Sequence, residues 1–97
     1  MCIRCAIENG ATICYVSKLS RYEDCETLAR YFKKHWNADV EKIYDIGSDV
    51  KYTLMFQGTT VDLIYHSSLG NFIRSEQVNV SDFLSRAITD LNERLSE

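Results

Sequence analysis

Val50-Lys51-Tyr52-Thr53-Leu54-Met55-Phe56, then Gln57-Gly58-Thr59-Thr60, then Val61-Asp62-Leu63-Ile64-Tyr65 is the stretch that decides the fold. Val50, Tyr52, Leu54 and Phe56 alternate with Lys51, Thr53, Met55 and Gln57, the period of a half-buried antiparallel strand. Gly58-Thr59 turns the chain, and Val61, Leu63 and Tyr65 resume the alternation. The pattern extends outward in both directions. A strand over Val40 to Ile46 is expected before Gly47-Ser48-Asp49, and a short one over Phe72 to Ser75 after Gly70-Asn71. Together these form a meander of up to four strands.

A second hairpin is expected at the N-terminus. Ile3, Cys5 and Ile7 alternate with Arg4, Ala6 and Glu8, Asn9-Gly10 intervenes, and Ile13-Cys14-Tyr15-Val16 follows. Asn-Gly between apolar runs suits a type I′ turn, which needs φ > 0 at both central positions. With these two as turn residues, Ile3 faces Val16, Cys5 faces Cys14 and Ile7 faces Thr12. Counted back from the closing pair Glu8 and Ala11, Cys5 and Cys14 form a non-hydrogen-bonded pair whose side chains lie close.

Between and after the strands the period becomes 3.6. Tyr22, Cys25, Leu28, Ala29, Phe32 and Trp36 make one stripe over about Arg21 to Trp36, with Ser20 and Glu23 spaced as a capping box and Asn37 as a stop. Phe83, Leu84, Ala87, Ile88, Leu91 and Leu95 make another, with Ser81 as its N-cap. The expectation is a single α+β domain over residues 1–97, with an antiparallel sheet of five to six strands and two helices on one face. The order is β-β-α-β-β-β(-β)-α. Leu28, Phe32, Leu54, Phe56, Leu63, Leu84, Ile88 and Leu91 are its expected core.

Composition narrows the function classes. The 97 residues are 45% apolar and 11% aromatic, and lack proline, which suits one folded domain. A net charge of −3 disfavours direct nucleic-acid binding. No run approaches the length that spans a membrane, and the polar N-terminus (Arg4, Glu8, Asn9) lacks a secretory signal, so a cytoplasmic, bacterial-type protein is expected.

No constellation with useful chemical specificity stands out, so no catalytic residue and no cofactor is expected. Cys2, Cys5, Cys14 and Cys25 are numerous enough for zinc, but Cys2 and Cys5 point to opposite faces of a strand and have no glycine or proline to form a knuckle. Buried thiols, with Cys5 and Cys14 reduced neighbours, are the favoured alternative to a disulfide or a metal site. His35 and His66 lie in no motif that orients them against a thiol. The four glycines are isolated at turns, with no phosphate-binding loop.

Charge distribution carries the remaining information. Lys18 to Trp36 holds five basic and three acidic residues, whereas Asn37 to Asp49 holds four acidic and one basic. Asp39, Glu41, Tyr44, Asp45 and Asp49 are the candidate partner-binding residues, an acidic patch carrying a tyrosine that would meet a basic protein. The competing explanation is charge that protects a sheet edge. The functional expectation is a small protein-binding inhibitor of the bacterial immunity type, occluding a toxin such as a nuclease. A phage-encoded inhibitor of a nucleic-acid-guided defence complex obeys the same physics. A thiol- or zinc-dependent domain built on the four cysteines is the alternative from another class.

Overall fold

The structure, a computed structural model, describes residues 3–56, 58–76 and 82–95, and in the last segment the side chains from residue 85 onward. Cys2, Ser81 and the side chain of Leu84 therefore lie outside the described residues. The elements are β1 (Ile3–Glu8), β2 (Ala11–Val16), α1 (Tyr22–Trp36), β3 (Asp39–Asp45), β4 (Asp49–Phe56), β5 (Thr59–His66), β6 (Gly70–Ser75) and α2 (Asp82–Leu95). They follow the expected order in one antiparallel α+β domain. The N-terminal hairpin has the expected register, with Cys5 opposite Cys14, and Asn9 and Gly10 at φ 52° and 78°.

The strands are arranged β1-β2-β6-β5-β4-β3. Helix α1 carries the chain from the first hairpin to the far edge, and the meander β3 to β6 walks back until β6 pairs with β2, Cys14 opposite Ile73. The sheet is therefore open, with β1 and β3 as its two edges. Val50, Leu54, Val61, Leu63, Ile73, Cys14 and Val16 point to the helix side, where they share one core with Leu28 and Phe32 of α1 and Ala87 and Leu91 of α2. Of the expected core, Leu28, Phe32, Leu54, Phe56, Leu63 and Leu91 are buried, and Ile88 is partly buried.

Two expectations need correction. The N-cap of α1 is Arg21 rather than Ser20, and the Asp24 carboxylate accepts the Arg21 N–H at 3.0 Å in place of Glu23 acting on Ser20. The reason lies in β6. The buried Asn71 donates from Nδ2 to the carbonyls of Leu19 (2.8 Å) and Arg21 (2.9 Å), which holds the approach to α1 extended. Gly70 beside it leaves room for Ser20, whose Cβ would stand only 3.1 Å from a Cβ at that position. The second correction concerns β1. Only Ile3 is buried, while Cys5 and Ile7 on the same side are exposed, Ile7 to 63%. The expected burial of the Cys5 thiol is replaced by a disulfide to Cys14.

At the other end of α1, Asn37 takes the left-handed conformation (φ 51°) as expected, and the Ala38 N–H closes on the Phe32 carbonyl. Trp36 is partly buried and packs against the core. Its Nε1–H donates to the Tyr31 hydroxyl at 2.9 Å, and that hydroxyl donates to Asp90 of α2 at 2.5 Å. Arg94, one turn further along α2, holds the same carboxylate with Nε at 2.7 Å.

Candidate functional site

Strand β3 is the more elaborate of the two edges. Val40 faces Leu54 and Lys42 faces Tyr52, but the register then shifts so that Tyr44 faces Lys51 and Asp45 faces Val50. The extra residue is Ile43, the bulged position. A bulge inverts the alternation beyond it. Simple alternation would put Asp39, Glu41 and Asp45 on one face and Tyr44 on the other. Instead Tyr44 joins Asp39 and Glu41 on the open face, and Asp45 crosses to the helix side.

The five candidate partner-binding residues therefore separate. Asp39, Glu41 and Tyr44 remain together on the helix-free face at the sheet margin, all exposed. Asp45 lies at the surface but its carboxylate is engaged. It accepts from the Tyr22 hydroxyl and from the Gly47 N–H at 2.9 Å, and stands 3.6 Å from the Lys42 ammonium. These contacts, the Tyr22 bond foremost, hold its carboxyl below the usual carboxylate range, and the same bond raises the Tyr22 hydroxyl. Asp49 faces the open side but pairs across the strands with His66, Oδ1 to Nε2 at 3.5 Å.

Apolar side chains accompany the acids. Ile43 (46%), Tyr44 (43%), Ile46 (70%) and Met55 (40%) are all exposed on β3, its following turn and the neighbouring β4. From the edge inward, one row of cross-strand neighbours crosses the whole open face: Tyr44, Lys51, Ile64, Phe72, Tyr15 and Arg4. Its centre is covered without any described helix above it, Ile64 being half-buried and Phe72 buried. Phe72 is covered by the Tyr15 ring, centroids 5.6 Å apart, and Tyr15 is itself held by a bond to Glu8 at 2.9 Å. Charge away from the margin is locally balanced, with Lys51 3.9 Å from Asp62, and Arg74 opposite Asp62 across the ladder. Unbalanced acid is concentrated at Asp39 and Glu41. Ile43 and Ile46 are the residues that sequence inspection missed here, because their exposure follows from a bulge that no glycine or proline marks.

His66 and Cys25, among the described residues, are respectively engaged and buried. His66 accepts the Ser68 N–H at Nδ1 (3.0 Å) while Nε2 faces Asp49, so both ring nitrogens are engaged. Cys25 is buried under the sheet and its thiol is pushed up to about 12 by that burial, which keeps it neutral at physiological pH. Among the described residues no three His, Cys, Asp or Glu side chains are grouped to hold a metal. An open recess of about 490 Å³ lies beside β1, lined by Arg4, Glu8, Tyr15, Ser68 and Leu69 among others. It offers one charge of each sign and no nucleophile beside a base. No described helix is long and apolar enough to cross a membrane.

No family model, curated protein or solved structure matches the chain.

Proposed function

We propose that this chain is a small protein-binding inhibitor of the bacterial immunity type, which occludes a basic partner such as a toxic nuclease with the outer margin of β3. The single observation that carries this proposal is the bulge at Ile43, which gathers Tyr44 with Asp39 and Glu41 and leaves Ile43 and Ile46 exposed beside them. Edge protection alone calls for charge and a bulge. It does not call for three exposed large apolar side chains along the same edge. Acid around aromatic and aliphatic anchors is the composition of a surface that attracts a basic protein and then holds it.

The partner-binding residues proposed are Asp39, Glu41 and Tyr44, with Ile43 and Ile46 added, Asp45 acting as a support and Asp49 as a rim contact. Action in the cytoplasm would expose Cys5 to a reducing pool. Cys14 lies within the core cluster and Cys5 on the exposed edge strand, so reduction would act at the margin of the core. An enzymatic role has no comparable support.

Capture on the immobilised chain from a bacterial lysate tests the proposal. A basic protein retained by the wild type and lost on D39K/E41K supports it. Equal retention by both overturns the assignment of the site.

A further inference from the structure

The opposite edge, β1, lacks the bulge found on β3, and its two charged residues, Arg4 and Glu8, flank its centre rather than interrupt it. It pairs with β2 without a bulge over its whole length, and its centre, Cys5-Ala6-Ile7, carries neither charge nor proline. A regular edge with an uncharged centre is a template for another strand. Which backbone groups it offers follows from the hairpin. Glu8 and Ala11 close the two-residue turn as a hydrogen-bonded pair, so Glu8, Ala6 and Arg4 direct their N–H and C=O groups toward β2. The Cα–Cα separation of 4.0 Å between Cys5 and Cys14 is that of the alternate, non-hydrogen-bonded pair. Cys5 and Ile7 therefore direct their N–H and C=O groups outward. Ile3 does the same, but its N–H already donates to Asn92 Oδ1 of α2 at 3.2 Å. The open template is Cys5 to Ile7.

We propose that β1 pairs antiparallel with β1 of a second copy of this chain, about a two-fold axis at Ala6, to give one sheet continuous through both copies. The symmetric registers differ in which outward-facing residues meet, and an axis at Arg4 would set Cys5 against Ile3, whose N–H is taken. An axis at Cys5 would set Ile7 against Ile3, whose N–H is taken. An axis at Ile7 would set Cys5 against Asn9, which is inside the turn at φ 52°. Only the axis at Ala6 sets Cys5 of each copy against Ile7 of the other, so that every outward N–H of the template meets a carbonyl. The same register puts Arg4 opposite Glu8 of the second copy, and Glu8 opposite its Arg4, on the open face. These are non-hydrogen-bonded positions, where side chains approach most closely and opposite charge is favourable. Ala6 meets its own counterpart on the axis, where a small side chain is needed. Ile7, 63% exposed in the single chain, gains a neighbour in the other copy's Cys5. Hydrogen-bond parity, charge and side-chain size thus select the same register.

The dimer would place the two β3 margins at its outer ends, and its existence does not depend on what β3 binds. Sedimentation equilibrium of the full-length wild type, R4E, E8R, R4E/E8R and I7P tests it, with far-UV circular dichroism and thermal melts reporting folding. The expected result is a wild-type dimer whose dissociation constant rises roughly tenfold or more in R4E and in E8R, where like charges face each other, and returns toward the wild-type value in the charge-swapped double variant. I7P, which removes an N–H that faces solvent in the single chain, should fold and be monomeric. A folded wild type that stays monomeric at 100 times the loading expected for a dimer of about micromolar affinity overturns the proposal and leaves the edge to a strand of another protein. A dimer that R4E and E8R weaken without rescue by the swap overturns it as well, as does one indifferent to all four variants.

Discussion

The Tyr22 hydroxyl donates to the Asp45 carboxylate, bridging α1 and β3 on the helix side of the sheet. Tyr22 is itself steadied edge-on against Tyr65, ring centroids 5.8 Å apart. The bond exists because the bulge at Ile43 turns Asp45 away from the open face, so one of the four acids of the Asn37–Asp49 segment has an internal task. That gives a titration prediction. A carboxyl held below its ordinary value stabilises the fold fully above the unfolded-state value near ~3.9, and the contribution disappears as pH falls through the folded value. In Tyr22→Phe the Asp45 carboxyl should titrate closer to ~3.9, as followed by carboxyl NMR, and acid unfolding should begin at lower proton concentration than in the wild type. An unmoved Asp45 titration would mean that Gly47 and Lys42 alone set it.

The interior should respond as a close-packed core. Phe32 and Leu54 are fully buried and Leu91 nearly so, with Phe32 edge-on to Phe56 at 5.8 Å. Phe32→Ala or Leu54→Ala should cost about 2–5 kcal/mol in urea unfolding. Ile7→Ala, on an uncovered strand, should stay within about 0.5 kcal/mol of the wild type under conditions that keep the chain monomeric.

Tyr31 links the helices, and its hydroxyl is pushed up to about 12 by burial and by the bond to Asp90. A raised tyrosine contributes stability that is complete below its ordinary value of 10.0 and is lost as pH rises through about 12. Tyr31→Phe deprives Trp36 and Asp90 of a partner and should cost about 1 kcal/mol. It should also flatten the alkaline fall in stability between those two pH values, and a wild-type melting temperature constant across that range would contradict the assignment.

The Cys5–Cys14 disulfide ties an otherwise exposed edge strand to the core, across a sequence separation of 9. Closing a loop of that length should be worth about 2–3 kcal/mol. Reduction should therefore lower the urea midpoint without unfolding the chain, and should selectively speed amide exchange in β1. Unchanged exchange there would show that Ile3 and the hairpin ladder suffice.

Legibility of the sequence varied with the range of the interaction that decides each feature. The Asn9-Gly10 hairpin and its register were readable because the turn's φ requirement and the apolar alternation are both local. The stripe of α1 was readable for the same reason, but its first turn was not, since Ser20 loses the cap through contacts with Gly70 and Asn71, some fifty residues away. The β2–β6 pairing that closes the sheet order carries no local mark. At β3 the acidic segment was visible, but its division was not. Nothing in Glu41-Lys42-Ile43-Tyr44 announces a bulge, and a period of two assigns Tyr44 and Asp45 to the wrong faces. The Cys5–Cys14 register is local, but the exposure of Cys5 beside a buried Ile3 is not, since the two occupy equivalent positions in the alternation of β1.

The most direct test of the β3 margin is the association rate of the D39K/E41K variant with the captured basic partner, measured beside the wild type at low and at high salt. Both residues are exposed and neither carries an internal bond of the kind seen at Asp45, so the fold should be unchanged by circular dichroism. At low salt the variant should associate at least about tenfold more slowly than the wild type, and it should lose most of the wild type's salt dependence. Tyr44→Ala in the same assay should instead speed dissociation, by an amount equivalent to about 2 kcal/mol. An association rate for D39K/E41K equal to the wild type at low salt would contradict the proposal that the acidic margin of β3 meets the partner.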